Sequence, residues 1–243
     1  MSDTTHAIIN AAGRQLTIRG SVQSYLDYHQ GWDAEKSAFM NSARHVPQGS
    51  TVIDVGANVG ILSCSLAAVR PDLQIIAIEP VPENFAYLME NVLENGLQNI
   101  RCINAAASDK PGRLRFNVNG PCSTVRPDGE VGVDTMMLDD LVNEQVSFVK
   151  IDVEGWEPHV IAGGQSLFHE HKPKIFMEWN TWGLLVANQN PLDFASSIWN
   201  DFEVIDVFHA EQSFGPPTDF LAIPHDNITR FSSVSDLLMV PRG

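Results

Sequence analysis

From residue 49 onward, short apolar runs alternate with longer stretches whose apolar residues recur at helical spacing. Thr51–Val55 is a β-branched run, and 58–70 carries Val59, Leu62, Leu66 and Ala67 along one helical face, so the segment reads as strand, glycine turn, helix. The unit repeats: Gln74–Ile78 predicts a buried strand, Pro82 opens a helix that Asn95 and Gly96 close, and 99–104 is a third strand. Residues 112–118 predict a short exposed strand and 135–142 a short helix or turn. A fourth core strand covers 146–152, followed by a helix over Glu157–Ala162 that Gly163 and Gly164 stop, and a fifth strand covers 174–178. Asn190 and Pro191 pair as N-cap and first-turn residue of a helix ending near Asn200, before two last strands at 203–208 and 236–240. This alternation predicts an α/β fold, a doubly wound and largely parallel sheet covered on both faces. Residues 1–48 read as an N-terminal extension packed on the substrate side of the core, with a short strand or hairpin at 15–19 and a helix over 34–44; residues 49–243 read as a single compact domain.

In such a sheet, ligands sit at the carboxyl ends of the strands, beside the point where strand order reverses. Three segments put chemistry there. In Asp54-Val55-Gly56-Ala57-Asn58-Val59-Gly60, Gly56 allows a sharp turn and close approach to a ligand, and Gly60 allows the next helix to pack close to the sheet. Glu79-Pro80 ends the next strand with a carboxylate able to accept hydrogen bonds from both hydroxyls of a ribose, or to serve the first turn of the following helix. The third segment, Val149-Lys150-Ile151-Asp152-Val153-Glu154-Gly155-Trp156-Glu157, has two carboxylates that would share one side if the strand continued.

The glycine pattern and the charge discriminate between cofactors. A dinucleotide fold needs a middle glycine where this chain has Asn58. Asp54 and Asp152 would repel a pyrophosphate but suit S-adenosylmethionine, which carries a sulfonium and an ammonium. Thirty acidic residues against fifteen basic ones, a net charge of −15, argue against nucleic acid and anionic membrane surfaces as partners. Three cysteines cannot all pair, the first ten residues lack the pattern of a signal peptide, and no apolar run reaches spanning length; the expectation is a cytoplasmic protein with no membrane partner.

On these motifs the chain resembles the FkbM family of methyltransferases. The resemblance rests on Asp54 to Gly60, on Glu79-Pro80 with Asn84 and Asn91, and above all on Lys150 to Gly155 with Glu157 and the Gly163-Gly164 pair. It also takes in Asn104-Ala105-Ala106, Leu138-Asp139 and the closing stretch from Asp236 to Pro241. It implies a Rossmann-like class I methyltransferase sheet of seven strands whose last strand is antiparallel, with S-adenosylmethionine as cofactor. It also implies Asp54, Gly56 and Asn58 at the methionine end, Glu79 on the ribose, Ala107, Ser108 and Asp109 near the adenine, and a hydroxyl of a small natural product or a sugar or glycan as acceptor.

A hydroxyl acceptor must lose its proton, and the candidate bases are Glu154, Asp152, His159 and Glu178, with Glu154 favoured for proximity and Asp152 for a structural or cofactor-facing role. Asp152, Glu154 and Glu178 could also hold a divalent cation, or simply form a hydrogen-bonded cluster. Pro121-Cys122 resembles the nucleophilic pair of cytosine-methylating enzymes but precedes the fourth core strand. The substrate side is expected from the first fifty residues, the loop 117–133 and the segment 179–190, with Trp32, Trp156, Trp179 and Trp182 as platforms or as packing. The competing reading is a non-catalytic module that keeps the fold and binds the cofactor or a partner.

Overall fold

The computed structural model describes residues 5–118, 122–141, 145–207, 212–213, 221–229 and 235–242. It opens with an antiparallel hairpin of β1 (Thr5–Ala11) and β2 (Arg14–Gly20), joined through Ala12 and Gly13, both at positive φ (52° and 71°). That turn matches the twist of the strands, but alanine is a weak signal for it, so the sequence pattern shows only part of the second strand. Helix α1 (Gln23–His29) follows, then a 3₁₀ turn (Ala34–Lys36) and α2 (Ala38–Ala43). The helix expected over 34–44 is broken at Ser37, whose backbone is extended and whose Oγ accepts the Met40 N–H at 3.1 Å as the N-cap of α2.

The core alternates as expected: β3 (Thr51–Val55), α3 (Ile61–Val69), β4 (Gln74–Ile78), α4 (Pro82–Glu94) and β5 (Ile100–Ile103). An inserted small sheet contains β6 (Ala106–Ala107), β7 (Gly112–Asn117), β8 (Thr124–Val125) and β9 (Val131–Met136) in the order β6-β9-β7-β8. The core resumes with β10 (Val146–Ile151), α5 (Glu157–Ala162), α6 (Gln165–His171), β11 (Lys174–Trp179), α7 (Thr181–Val186), α8 (Pro191–Asp201), β12 (Phe202–Asp206), β13 (Gln212–Ser213), α9 (Ala222–Thr229) and β14 (Ser235–Pro241). The segment 135–142 is the end of β9 and a 3₁₀ turn (Leu138–Asp140); Val142, Phe208 and Pro121 lie outside the described residues.

Seven strands form the main sheet in the order β5-β4-β3-β10-β11-β14-β12, and the two-residue β13 lengthens the β12 edge. β14 runs antiparallel between β11 and β12, while the pairings from β11 across to β5 are parallel. Strand order therefore reverses between β3 and β10, which opens a crevice at their carboxyl ends. The central strands are buried on both faces, and their alternation feeds two cores. Val149, Ile151 and Met177 pack with Trp179, Phe194 and Trp199, whereas Phe148 and Phe176 pack with Phe39, Leu66 and the hairpin residues Ile9, Leu16 and Ile18. The hairpin is tied to α4 by two buried amides one helical turn apart. Asn91 accepts the Arg19 N–H (2.8 Å) and donates to the Arg19 carbonyl (3.0 Å), and Asn95 does the same for Thr17 at 3.0 and 2.8 Å. Among the described residues no helix is long and apolar enough to cross a membrane.

Candidate active site

The carboxyl ends of β3, β4 and β10 converge on a cavity of about 370 Å³, within the range of small-molecule sites. Asp54, Gly56, Ala57 and Asn58 line one side, with Glu79 and Pro80 next to them. Gly56 stands at φ 78°, and a Cβ there would lie 1.9 Å from the Asp152 carbonyl oxygen, so the neighbouring strand end demands the glycine as much as ligand access does. Asn58 is also left-handed (φ 53°), a conformation asparagine tolerates, and its Oδ1 accepts the Val59 N–H at 2.8 Å. The Asn58 N–H donates to Glu79 Oε2 (2.8 Å) and the Val81 N–H to Oε1 (2.9 Å). Glu79 thus secures the entry to α4, accepts from the Asn84 side chain as well, and keeps acceptor capacity for a ribose hydroxyl. Burial pushes its carboxyl up to about 7 against the pull of those N–H groups.

Asp54 is 1% exposed; Oδ2 accepts from Ser63 Oγ at 2.5 Å, while Oδ1 makes no hydrogen bond although Lys150 Nζ lies 3.2 Å away. A buried anionic oxygen with unused capacity beside a cavity suits a cationic ligand group. The residues present therefore fit S-adenosylmethionine: Asp54 and the Gly56-Ala57-Asn58 turn for the cationic methionine end, Glu79 for the ribose.

β10 ends at Ile151, so Asp152 and Glu154 do not share a strand face. The chain turns instead, with Glu154 at φ 55° and Gly155 at φ 99°; a Cβ on Gly155 would lie 2.2 Å from the Gly183 carbonyl oxygen of α7. A left-handed glutamate costs about 1–2 kcal/mol. Glu157 holds it there, its buried Oε1 accepting the N–H groups on either side, Val153 at 3.1 Å and Gly155 at 3.3 Å. The turn gathers Asp152, Glu154 and Glu178, with one oxygen of each within 4.8 Å of the others. Burial and then the Asp152 charge raise the Glu154 carboxyl, although the Cys122 thiol donates to it. Burial and the charges of Asp152, Glu154 and Asp236 raise Glu178 further.

Lys150, which the sequence marks only as part of the family motif, is the cation beneath this cluster. It pairs in register with Asp54; its Nζ donates to the Gly56 carbonyl (2.8 Å) and lies 3.4 Å from Asp152 Oδ2. Burial pulls the ammonium down, but Asp54 and Asp152 outweigh it and hold the group above its ordinary range. The three carboxylates offer oxygens for a hard divalent cation, and Lys150 already supplies Asp152 with positive charge.

Other expected residues stand back. His159 is not among the cavity-lining residues: Nδ1 is 3.3 Å from Asp109, Nε2 is 3.1 Å from Gln189 Nε2, and the ring stacks on Trp156 at 3.8 Å. Trp156 lines the cavity and donates to Ser108 Oγ at 3.3 Å, so Ser108 and Asp109 brace that wall without lining it, while Ala107 lines it. Gly60 also lies outside the lining; its close approach is to α4, where a Cβ would stand 2.5 Å from Leu88 Cδ1, not to the sheet. Leu138-Asp139 and the glycine pair are structural. Asp139 accepts the Leu167 N–H at 2.9 Å, and a Cβ on Gly163 would meet the Ser108 carbonyl oxygen at 1.9 Å. Trp179 is buried and stacked on Phe194, Trp182 is exposed, and among the described residues 179–190 add nothing to the lining. Tyr25, His29 and Cys122 line the cavity from segments expected on the substrate side without having been singled out as binding residues there, and Phe116 lines it from just outside them; the aromatic cluster between Tyr25 and Trp32 was the available signal.

Residues 54–190, more than half of the chain, match the Methyltransferase FkbM domain. The chain belongs to the FkbM methyltransferase family. As a member it is an S-adenosylmethionine-dependent methyltransferase. It is 28% identical over 183 residues to the 2-O-methyltransferase NoeI of Sinorhizobium fredii (strain NBRC 101917 / NGR234), a match covering 65% of this chain and 74% of that protein. It is 41% identical over 101 residues to the ribosomal RNA small subunit methyltransferase G of Corynebacterium efficiens, covering 40% of this chain and 44% of that one. Methyltransferase FkbM from Methylobacillus flagellatus KT shares the fold with a TM-score of 0.50 at 19% identity, over 79% of this chain and 43% of that one.

Proposed function

We propose that this FkbM-family enzyme transfers a methyl group from S-adenosylmethionine to a hydroxyl oxygen of a small natural product or of a sugar or glycan, with Glu154 as general base. One observation carries the reading: a cradle suited to an adenosyl cation and a carboxylate cluster of raised proton affinity open into the same cavity. The 2-O-methyltransferase activity in the name of NoeI supports oxygen as the acceptor atom. The net charge of −15 supports an acceptor other than nucleic acid, and three free cysteines suit a cytoplasmic setting. Residues 1–48 act as the substrate-side extension of a methyltransferase domain over 49–243.

When bound, the cofactor supplies a methyl group on a sulfonium, open to attack by a lone pair. Glu154, its carboxyl raised by burial, is a stronger base than a solvated glutamate and takes the acceptor's hydroxyl proton on a carboxylate oxygen. Glu178, raised further, keeps its proton near neutrality and donates a hydrogen bond that orients the acceptor. Asp152, tied to Lys150, holds the methionine end with Asp54. His159 steadies Trp156 and takes no proton, and a divalent cation on Asp152, Glu154 and Glu178 is not needed.

Calorimetric titration with S-adenosylmethionine and with NAD, on wild type and Glu79→Ala, tests the cofactor half; only the sulfonium ligand should bind, at least about tenfold more weakly to the variant. Methyl transfer to hydroxylated acceptors and to a ribosomal RNA fragment tests the other half. Transfer to the RNA alone would overturn the acceptor class, and cofactor binding without transfer to any acceptor would favour the non-catalytic reading.

A further inference from the structure

We infer that Tyr25, His29 and Trp32 form the acceptor-selecting wall of the cleft, which takes an uncharged hydroxylated ring and rejects acceptors bearing phosphate or carboxylate. The inference rests on the methyltransferase reading and adds the residues and the charge rule that choose the acceptor. All three side chains line the cavity that holds Asp152, Glu154 and Glu178. Their rings meet edge to face, Tyr25 to His29 at 4.7 Å and His29 to Trp32 at 5.9 Å, which makes one continuous aromatic surface.

That surface is held in place before any ligand arrives. His29 Nδ1 lies 2.8 Å from the Tyr25 carbonyl oxygen, which can only accept, so Nδ1 donates there and Nε2 is left to meet a ligand hydroxyl. Trp32 is pinned on its backbone: its N–H donates to the His29 carbonyl at 2.9 Å and its carbonyl accepts the Asn10 N–H at 2.8 Å. Phe116 and Val125 of the small sheet also line the cavity and add apolar surface. A ring laid on this apolar surface has its hydroxyls in the same cavity as the three carboxylates.

Charge sets the exclusion. Lys150 is the lysine or arginine among the lining residues, and its ammonium is engaged by the Gly56 carbonyl, Asp54 and Asp152. A phosphate or carboxylate on the acceptor would meet Asp152, Glu154 and Glu178, and among the described lining residues no lysine or arginine other than the engaged Lys150 answers it.

Cys122 offers a readout that needs no turnover, because it is exposed and lines the same cavity, whereas Cys64 is buried and Cys102 half-buried. The protein is loaded with S-adenosylhomocysteine, binding is verified by calorimetry, and iodoacetamide alkylation of Cys122 is followed by peptide mass mapping. Methyl glucoside or resorcinol should slow alkylation at least about threefold near saturation, while a glucose phosphate, glucuronate and dihydroxybenzoate should not. Trp32→Ala and Tyr25→Ala should need about tenfold more of the neutral ring for the same protection, and Trp182→Ala, on the exposed face of α7, the wild-type amount. Protection by the anionic compounds, none by either neutral ring, or full protection in Trp32→Ala would each overturn the inference. Failure of the wild type to bind S-adenosylhomocysteine would instead strike the methyltransferase reading, and its binding to the alanine variants shows that they are folded.

Discussion

Replacing Glu157 by glutamine separates the shape of the turn that carries Glu154 from its charge. Glu157 is 3% exposed, and burial lifts its carboxyl from 4.5 to about 7. A shift of that size corresponds to about 3 kcal/mol of difference between the two protonation states. The folded value lies above the unfolded one, so across this interval the folded chain binds the extra proton. The group's stabilising contribution is complete below the unfolded value of 4.5 and is lost as pH rises through about 7. Glutamine keeps a carbonyl oxygen for the Val153 and Gly155 N–H groups and does not titrate. Glu157→Gln should therefore match the wild type within about 1 kcal/mol near pH 5 and exceed it by about 3 kcal/mol near pH 8. For a chain of this length that is a melting temperature roughly 6–12 °C higher at the alkaline end. Thermal and urea unfolding of the cofactor-free protein at the two pH values measure it. If variant and wild type lose stability in parallel as pH rises, the turn is not held by a buried, reluctantly ionised carboxylate, and the account of Glu157 fails.

Glu154→Gly should be more stable than Glu154→Ala by about 1 kcal/mol in urea unfolding, because only glycine occupies φ 55° without penalty, and both should lose methyl transfer. Lys150→Met should destabilise by about 3–5 kcal/mol through two carboxylates left without their cation, and adding Asp54→Asn should recover part of that loss in a double-mutant cycle; strict additivity would count against the coupling. Cofactor affinity should weaken as pH falls below about 7, where Glu79 takes up a proton and loses acceptor capacity for the ribose; titration calorimetry at matched ionic strength would detect it, and a flat profile would remove Glu79 from the ribose.

What could be read from the sequence was whatever has a period or a compulsory residue type. The core strands are β-branched runs and α4 has proline at its start, so both were placed within a residue or two. The short elements escaped: α6 and α7 are only seven and six residues long, and β8 has two. At the site, Asp54, Gly56, Asn58, Glu79, Asp152, Glu154 and Glu178 could be picked out because strand ends are where such a fold binds ligands, and all seven line the cavity. His159 could not be judged that way, since its direction depends on the Trp156 stack and on Asp109, fifty residues earlier in the chain. Nor could Tyr25 and His29 be singled out, since their place depends on the hairpin that precedes them, which the Asn91 and Asn95 amides and its packing into the core anchor.

Much of the site's chemistry follows from a surplus of negative charge that the fold only partly answers. Asp54, Glu79, Asp152, Glu154 and Glu178 surround one ammonium, that of Lys150. Water cannot relieve the imbalance where Asp54 and Glu79 are buried, and the proton affinities rise instead: Glu79 is lifted to about 7 by burial, Glu154 is raised by burial and by Asp152, and Glu178 by burial and by the charges of Asp152 and Glu154. Lys150 stays paired with Asp54 at 3.2 Å and with Asp152 at 3.4 Å. A cationic cofactor completes this balance where an anionic one would worsen it. The same surplus raises the proton affinity of Glu154, so in the proposed mechanism cofactor choice and base strength have a common electrostatic origin.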